Sequence, residues 1–311
     1  MRYLYSIILY LLTPVVLFRL IRSGFSNPDY RLRWNERFGA VNLPITTRPL
    51  IWVHAVSVGE VQAALPLIRR LLADYPQYQI LVTTVTPTGS AMVRQNLGAE
   101  VLHCYFPYDL PHVVNRFLNR TRPAVFIVME TEIWPNLYHQ CRSRGIKLLL
   151  VNARLSLKSF KGYRKIAGLI RQVLDNVDLI AAQSHEDAQR LAELGADLRR
   201  ITITGNLKFD VDIPASISEQ GRSIRQVIGR RRPVWIAAST HEGEEPFVLA
   251  AHRKVVGTYP DCLLVLAPRH PERSAGVAEL SVRQGFATLC KSLMSAANRE
   301  DQAPGVQVAG M

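Results

Sequence analysis

From Pro49 onward the chain alternates short apolar runs with segments whose apolar positions recur every three or four residues. The runs are "LIWV" (50–53), "QILVTTV" (79–85), "EVLHCYF" (100–106), "AVFIVME" (124–130), "KLLLVNA" (147–153), "LIAAQS" (179–184) and the short "ITITG" (201–205). Between most of them lie helical patterns such as "SAMVRQNLG", "LPHVVNRFLNRT", "IWPNLYHQCRSRG" and "HEDAQRLAELGA". Runs that are apolar at consecutive positions bury both faces. Separated by helices, they predict an α/β fold on a parallel, doubly wound sheet. "NLKFDVDIPASISEQG" (206–221) breaks the rhythm with Asp, Pro and Ser. A second alternation starts at "PVWIAAS" (233–239), passes through "EEPFVLAAHRKVVGTYP" and "CLLVLAPRH" (262–270), and ends in the weaker strand candidates "FATLC" and "GVQVAG". The expected organisation is an N-terminal helix over 1–22, a first Rossmann-like domain over 23–210, a linker over 211–232 and a partial second Rossmann-like domain over 233–311.

Ahead of this alternation, "YLYSIILYLLTPVVLFRL" (Tyr3 to Leu20) is almost wholly apolar. A helix needs roughly 17–25 such residues to cross a bilayer. Pro14 is expected to kink it. Tyr3 and Tyr5 suit the headgroup level, and Arg19, Arg22, Arg31, Arg33 and Arg37 suit an anionic cytoplasmic leaflet. A cleaved signal peptide fits less well, because no A-x-A-like site follows and the arginines come after the apolar stretch. A core helix also fits less well, since such helices carry a polar stripe. The reading is a single membrane anchor or a deeply inserted helix.

Composition narrows the function. The chain of 311 residues carries a net charge of +13 and is 48% hydrophobic and 20% charged, which excludes wholesale disorder. The basic balance points to an anionic partner: a nucleic acid, a phospholipid surface or a phosphorylated substrate. The basic residues are scattered with no aromatic platform among them, so nucleic acid is the weakest of the three. Cys104, Cys141, Cys262 and Cys290 lie far apart with no CxxC, which argues against a disulfide framework or a zinc site.

In doubly wound sheets ligands bind beyond the carboxyl ends of the strands. The residues just past each run are therefore the candidates. In "HAVSVGE" (54–60), Ser57 and Gly59 lead into a helix; Gly59 permits a tight turn or a close approach to a ligand. Glu60 falls in that helix's first turn, where the macrodipole favours the ionised form, so it is either a helix-start residue or a base. In "METEIWPN" (129–136), Glu130 and Glu132 share a side if the backbone stays extended, and Pro135 opens a helix. "NARLS" (152–156) offers Asn152, Arg154 and Ser156 to hydroxyls or an anion, or is a plain loop. "GNLKFD" (205–210) carries Lys208, a surface cation or a partner for an anion. "AASTHEGEE" (237–245), with Ser239, puts backbone N–H groups at a helix start, which favours phosphate or carboxylate. It contains neither GxGxxG nor a Walker pattern, so a dinucleotide site or P-loop is not indicated. In "APRHPER" (267–273), Pro268, Arg269, His270 and Arg273 crowd a turn suited to phosphate or to solvent.

These motifs, in this order and behind an apolar N-terminus, closely resemble the 3-deoxy-D-manno-octulosonic acid (Kdo) transferases of Gram-negative bacteria. The resemblance runs from Met1 to about Ser292. It implies a GT-B glycosyltransferase: two Rossmann-like domains with the active site between them, moving Kdo from CMP-Kdo to the lipid A precursor, lipid IVA, at the cytoplasmic face of the inner membrane. It further implies inversion at the anomeric centre, no metal and no cofactor beyond the donor substrate. Glu60 matches the family's general base, Glu130 and Lys208 match positions that stabilise the transition state, and Pro268 and Arg269 match part of the CMP site. The partners implied are CMP-Kdo, lipid IVA and anionic inner-membrane lipids. Family members run well past position 311, so the chain as given is expected to bind donor poorly and to be weakly active or inactive; robust Kdo transfer by it refutes that. The alternatives are an inactive fragment and another GT-B nucleotide-sugar enzyme.

Overall fold

The computed structural model describes residues 1–26, 28–44, 47–210, 215–290 and 305–308. The chain divides into two compact units, Met1–Asp212 and Ile213–Met311. In the first, helices α1 (Arg2–Ser26) and α2 (Trp34–Arg37) precede β1 (Leu50–His54), α3 (Val58–Asp74), β2 (Gln79–Thr84), α4 (Pro87–Leu97), β3 (Leu102–Tyr105), α5 (Pro111–Thr121) and β4 (Pro123–Met129). Then come α6 (Pro135–Ser143), β5 (Lys147–Ala153), α7 (Leu157–Arg164), α8 (Ala167–Leu174), β6 (Leu179–Ala182), α9 (His185–Glu193) and β7 (Ile201–Ile203). The second unit holds α10 (Ala215–Ile228), β8 (Val234–Thr240), α11 (Glu245–Thr258), β9 (Leu263–Pro268), α12 (Ser274–Arg283), β10 (Ala287–Cys290) and β11 (Gly305–Val308). Each apolar run read from the sequence is a strand.

The seven strands of the first unit form one sheet in the order β3-β2-β1-β4-β5-β6-β7, every pairing parallel. The chain leaves β1 for one side, then returns to lay β4 on the other. The switch point between β1 and β4 opens a crevice at their carboxyl ends. β1 is buried along its length, and its residues alternate between two cores: Leu50 and Trp52 join one, Ile51 and Val53 the other. Such double burial is what makes the strand read as a continuous apolar run. Trp52 stacks on Phe126 at 3.7 Å between ring centroids and donates its indole N–H to Thr83 Oγ1 at 2.8 Å. A packed aromatic of this size contributes roughly 3–5 kcal/mol.

The second sheet has the order β10-β11-β9-β8, also parallel. Its first strand, β8, lies at an edge rather than in the middle, and Ile236 on it is 62% exposed. The stretch read as a linker carries α10 over most of its length, while residues 211–214 of it, and most of the tail from 291 on, lie outside the described residues. Pro214 and the Ser pair that suggested a linker precede or open an amphipathic helix.

α1 is one helix through Pro14. Its less exposed positions, Tyr5, Ser6, Leu9, Thr13, Leu17, Leu20 and Gly24, recur every three or four residues and face the first unit. Leu4, Ile7, Leu11, Val15 and Phe18 on the other faces are exposed. The sequence showed no conventional polar stripe because the seam is mixed: small and hydroxyl side chains among leucines. Ser6 Oγ donates to Asn136 Oδ1 at 3.0 Å, and the Tyr10 hydroxyl bonds His112 Nδ1 at 2.7 Å. Of the five arginines expected at a lipid surface, Arg37 is buried: one of its amino groups donates to the Val85 carbonyl and its guanidinium lies over the Tyr105 ring at 4.1 Å. Arg33 is bonded to Glu36 and His103. Arg19, Arg22 and Arg31 remain exposed.

Candidate active site

The crevice at the β1/β4 switch point collects the acids singled out from the sequence. β1 ends at His54, whose ring is wholly buried against Phe106 and bonded to Thr83; burial drives its pKa down to about 3, so it is a neutral core residue. The chain then turns through Ala55 and Val56 into α3, with Ser57 extended at the N-cap. Glu60 sits in the first turn. Its Oε2 accepts the Val56 N–H at 2.9 Å and its Oε1 accepts the Ser57 hydroxyl at 3.3 Å. It is a helix-start residue in that it reaches back over the cap. It is also poised: burial raises its pKa, the Val56 bond lowers it, the Glu130 charge raises it, and Ser57 and Lys208 lower it, with a net rise. The helix-start reading of Glu60 holds, and the carboxyl that carries the alternative reading as a base feels the charges of Glu130 and Lys208.

Gly59 serves neither a tight turn nor a close backbone approach within the protein. It lies in the regular helix, and a Cβ built on it meets nothing within 4 Å. The space beside Glu60 is open on that side.

β4 ends at Met129 because Glu130 turns left-handed, with φ of 58°, while its N–H still bonds the Val151 carbonyl at 2.9 Å. The backbone is thus not extended from Glu130 to Glu132 as the spacing argument required. The turn, not strand alternation, brings the two carboxyls together. Glu132 is held from behind, where the buried Tyr138 hydroxyl donates to its carbonyl. Burial, then the charges of Glu60 and Glu130, push the Glu132 carboxyl up to about 7. Its folded pKa lies above the ordinary value of 4.5, so its contribution to stability is complete below about pH 4.5 and is gone by about pH 7. Glu132→Gln removes this pH dependence. In urea unfolding we expect the variant to be the more stable protein above pH 7 and to lose less stability between pH 5 and 8; equal slopes for both proteins refute the assignment.

Lys208 is exposed on a single turn, Leu207–Phe209, capped by Asn206 Oδ1 at 3.0 Å from the Lys208 N–H. Its charge reaches Glu60. Asn152, read as a hydroxyl-binding residue, is wholly buried instead; its Oδ1 accepts the Leu207 N–H at 3.0 Å. A polar residue just past an apolar run reads as loop, but here the loop it serves lies beyond β7. Arg154 is exposed, and its carbonyl accepts the Thr131 hydroxyl at 2.6 Å. Ser156 caps α7.

In the second unit the corresponding strand ends carry the other candidates. Ser239 is exposed and left-handed, with φ of 59°, at the end of β8. Pro268 closes β9 half-buried, and Arg269 and His270 follow it into solvent, with the Arg269 N–H bonded to the Thr240 carbonyl at 2.9 Å. Arg273 is not available to a phosphate: it forms a two-pronged pair with the buried Glu245 at 2.9 and 3.2 Å, and Thr240 donates to the same carboxylate at 3.0 Å. That node ties the loop after β8 to the loop after β9. The sequence reading passed over Glu245, one of three glutamates in "HEGEE" with nothing to single it out. Asp109 was also passed over: its carboxylate accepts the Asn136 and Leu137 N–H groups at 3.0 and 2.7 Å at the start of α6. Among the described residues no three His, Cys, Asp or Glu side chains form a metal-ligating group.

Residues 32–211 match the family described as 3-Deoxy-D-manno-octulosonic-acid transferase (kdotransferase). The 3-deoxy-D-manno-octulosonic acid transferase of Haemophilus influenzae is 41% identical over 302 residues, which span 97% of this chain and 71% of that protein. The chain belongs to the Kdo transferase family. The Bordetella pertussis Kdo transferase is 35% identical over 88% of this chain, which in turn spans 65% of that relative's length. As a member of the family the chain is a glycosyltransferase by descent. UDP-GlcNAc 2-epimerase from Neisseria meningitidis, solved with UDP-GlcNAc bound, aligns with a TM-score of 0.51 at 13% identity, covering 85% of this chain and 72% of that one. That likeness shows the fold alone, and with the two parallel-sheet units it supports the GT-B class read from the sequence. Glu60, Glu130, Glu132 and Lys208 all fall within the segment that matches the Kdo transferase family.

Proposed function

We propose that the protein transfers Kdo from CMP-Kdo to the lipid A precursor lipid IVA, with inversion, in lipopolysaccharide biosynthesis. The observation that carries this is Glu60: a carboxylate at the switch-point crevice, its pKa raised by burial, set among Glu130, Glu132 and Lys208. An acid in that position takes the proton of an acceptor hydroxyl as the oxygen forms its bond to the anomeric carbon of Kdo. The bond from that carbon to the CMP phosphate breaks on the opposite side, and the configuration inverts. The Glu130 carboxylate opposes positive charge developing on the sugar ring. Lys208 offsets the accumulated negative charge. In the second unit Ser239, Pro268, Arg269 and His270 serve the cytidylyl group and its phosphate, with the Glu245–Arg273 node fixing their loops.

We place the protein at the cytoplasmic face of the inner membrane. α1 is long and apolar enough to cross a bilayer, and its apolar side chains outside the seam with the first unit are exposed, so it serves as the membrane anchor. Arg19, Arg22 and Arg31 then meet anionic headgroups. The experiment is incubation with CMP-Kdo and lipid IVA, followed by mass analysis of the lipid. Product heavier by one or more Kdo units is expected, at low turnover; an acceptor still unchanged after prolonged incubation, or tighter binding of UDP than of CMP, overturns the reading.

A further inference from the structure

Among the described residues, five that are not glycine adopt a left-handed backbone, and three of these, Glu130, Asn152 and Ser239, stand at the carboxyl ends of strands where ligands gather. Glu130 and Ser239 are at least partly open to solvent. Asn152 is fully buried, so its conformation serves the protein and not a ligand directly. Its neighbours show what is served. The carbonyl of Val151, the residue before it, accepts the Glu130 N–H at 2.9 Å and fixes the turn that aims Glu130. Its own Oδ1 accepts the Leu207 N–H at 3.0 Å and pins the turn that carries Lys208. Its carbonyl accepts Gln183 Nε2 at 3.0 Å, and the pairing of β5 with β6 slips between Leu150 and Ala153, which lets the strand end bend.

We propose that Asn152 is a positioning residue, holding Lys208 and Glu130 in register with Glu60 through its left-handed turn and its hydrogen bond to Leu207. The inference rests on the reading of Glu60 as the base. The residue type follows from the demands. Asn tolerates a left-handed backbone better than most side chains. Gly would tolerate it as well but has no acceptor for Leu207. Asp would accept that bond but add a fourth carboxyl close to Glu60, Glu130 and Glu132. The site also carries a cost: Asn152 Nδ2 is buried and without a partner among the described residues. A strained backbone and an unpartnered amide in one buried residue mark a position fixed by what it holds.

The test is the titration of the Glu60 carboxyl, followed by carbon NMR in glutamate-labelled protein and assigned by its disappearance in Glu60→Gln. Lys208→Met removes the lysine charge and raises the midpoint. Asn152→Gly keeps the left-handed turn but frees the Leu207 amide; we expect it to raise the midpoint by as much as Lys208→Met does, with the double variant rising no further. The Leu207 amide exchanges faster in Asn152→Gly. Asn206→Ala, which loosens the same turn from its other end, gives a smaller rise and serves should Asn152→Gly fold poorly. A midpoint that moves in Lys208→Met but in neither Asn variant sinks the inference and leaves the function standing. A midpoint unmoved by Lys208→Met removes the lysine from the base's surroundings and sinks the inference too, while the function still stands or falls on the mass of the lipid product.

Discussion

Glu60→Gln is expected to lower the rate of Kdo transfer by roughly 10²–10⁴-fold, the usual worth of a positioned general base. Gln is the informative choice. Its side-chain oxygen still accepts the Val56 N–H, now held at 2.9 Å, so α3 keeps its start and the crevice its shape. Affinity for CMP and the urea midpoint should match the unsubstituted protein. A fall of less than tenfold in kcat would take Glu60 out of the role of base. A collapse of the fold without a specific loss of rate would leave it only its place over the helix cap. Glu60→Ala confuses the two, because it frees the Val56 amide as well as removing the base.

The largest stability loss is expected from Asp109→Ala. The carboxylate is almost fully buried, accepts two amides at the start of α6, and receives the Tyr5 hydroxyl from α1. Removing it strands those donors out of reach of water, at about 3 kcal/mol or more. The same change should release the first turns of α1, so limited proteolysis ought to cut near the N-terminus well before the sheet gives way. Asp109→Asn keeps an acceptor for one amide and should lie between the two proteins. Burial pushes this carboxyl up to about 7 against the pull of its hydrogen bonds, so its contribution, like that of Glu132, fades as the pH rises toward 7. Urea midpoints for the variant that match the unsubstituted protein at pH 6 contradict the assignment.

The fold was legible because β1, β4 and the middle of β5 carry apolar residues at consecutive positions, most of them buried. Glu60 was legible because a strand, a short turn and a helix start fix where a first-turn acid must lie. Asn152 was misread because its partner, Leu207, is far along the chain and only the β5–β6–β7 order brings the two together. Arg37 was misread because an arginine in a basic stretch looks solvated, whereas here Tyr105 and the Val85 carbonyl enclose it. α10 was hidden by Asp, Pro and Ser around its start, residues that begin helices as readily as they make loops. The Asp109–Asn136–Ser6 chain did leave a trace, a serine and tyrosines within an otherwise oily helix, but their partners were not in view.

β8 has one more consequence. On the side away from β9 its amides and carbonyls have no neighbouring strand among the described residues, and Ile236 stands beside them. A sheet edge of this kind is a template on which one more strand of matching pitch can pair. Arg230, Arg231 and Arg232, just ahead of it, act as gatekeepers by mutual repulsion. Salt weakens that repulsion, so purified material is best kept dilute and at low ionic strength, where these three cations still hold identical ribbons apart.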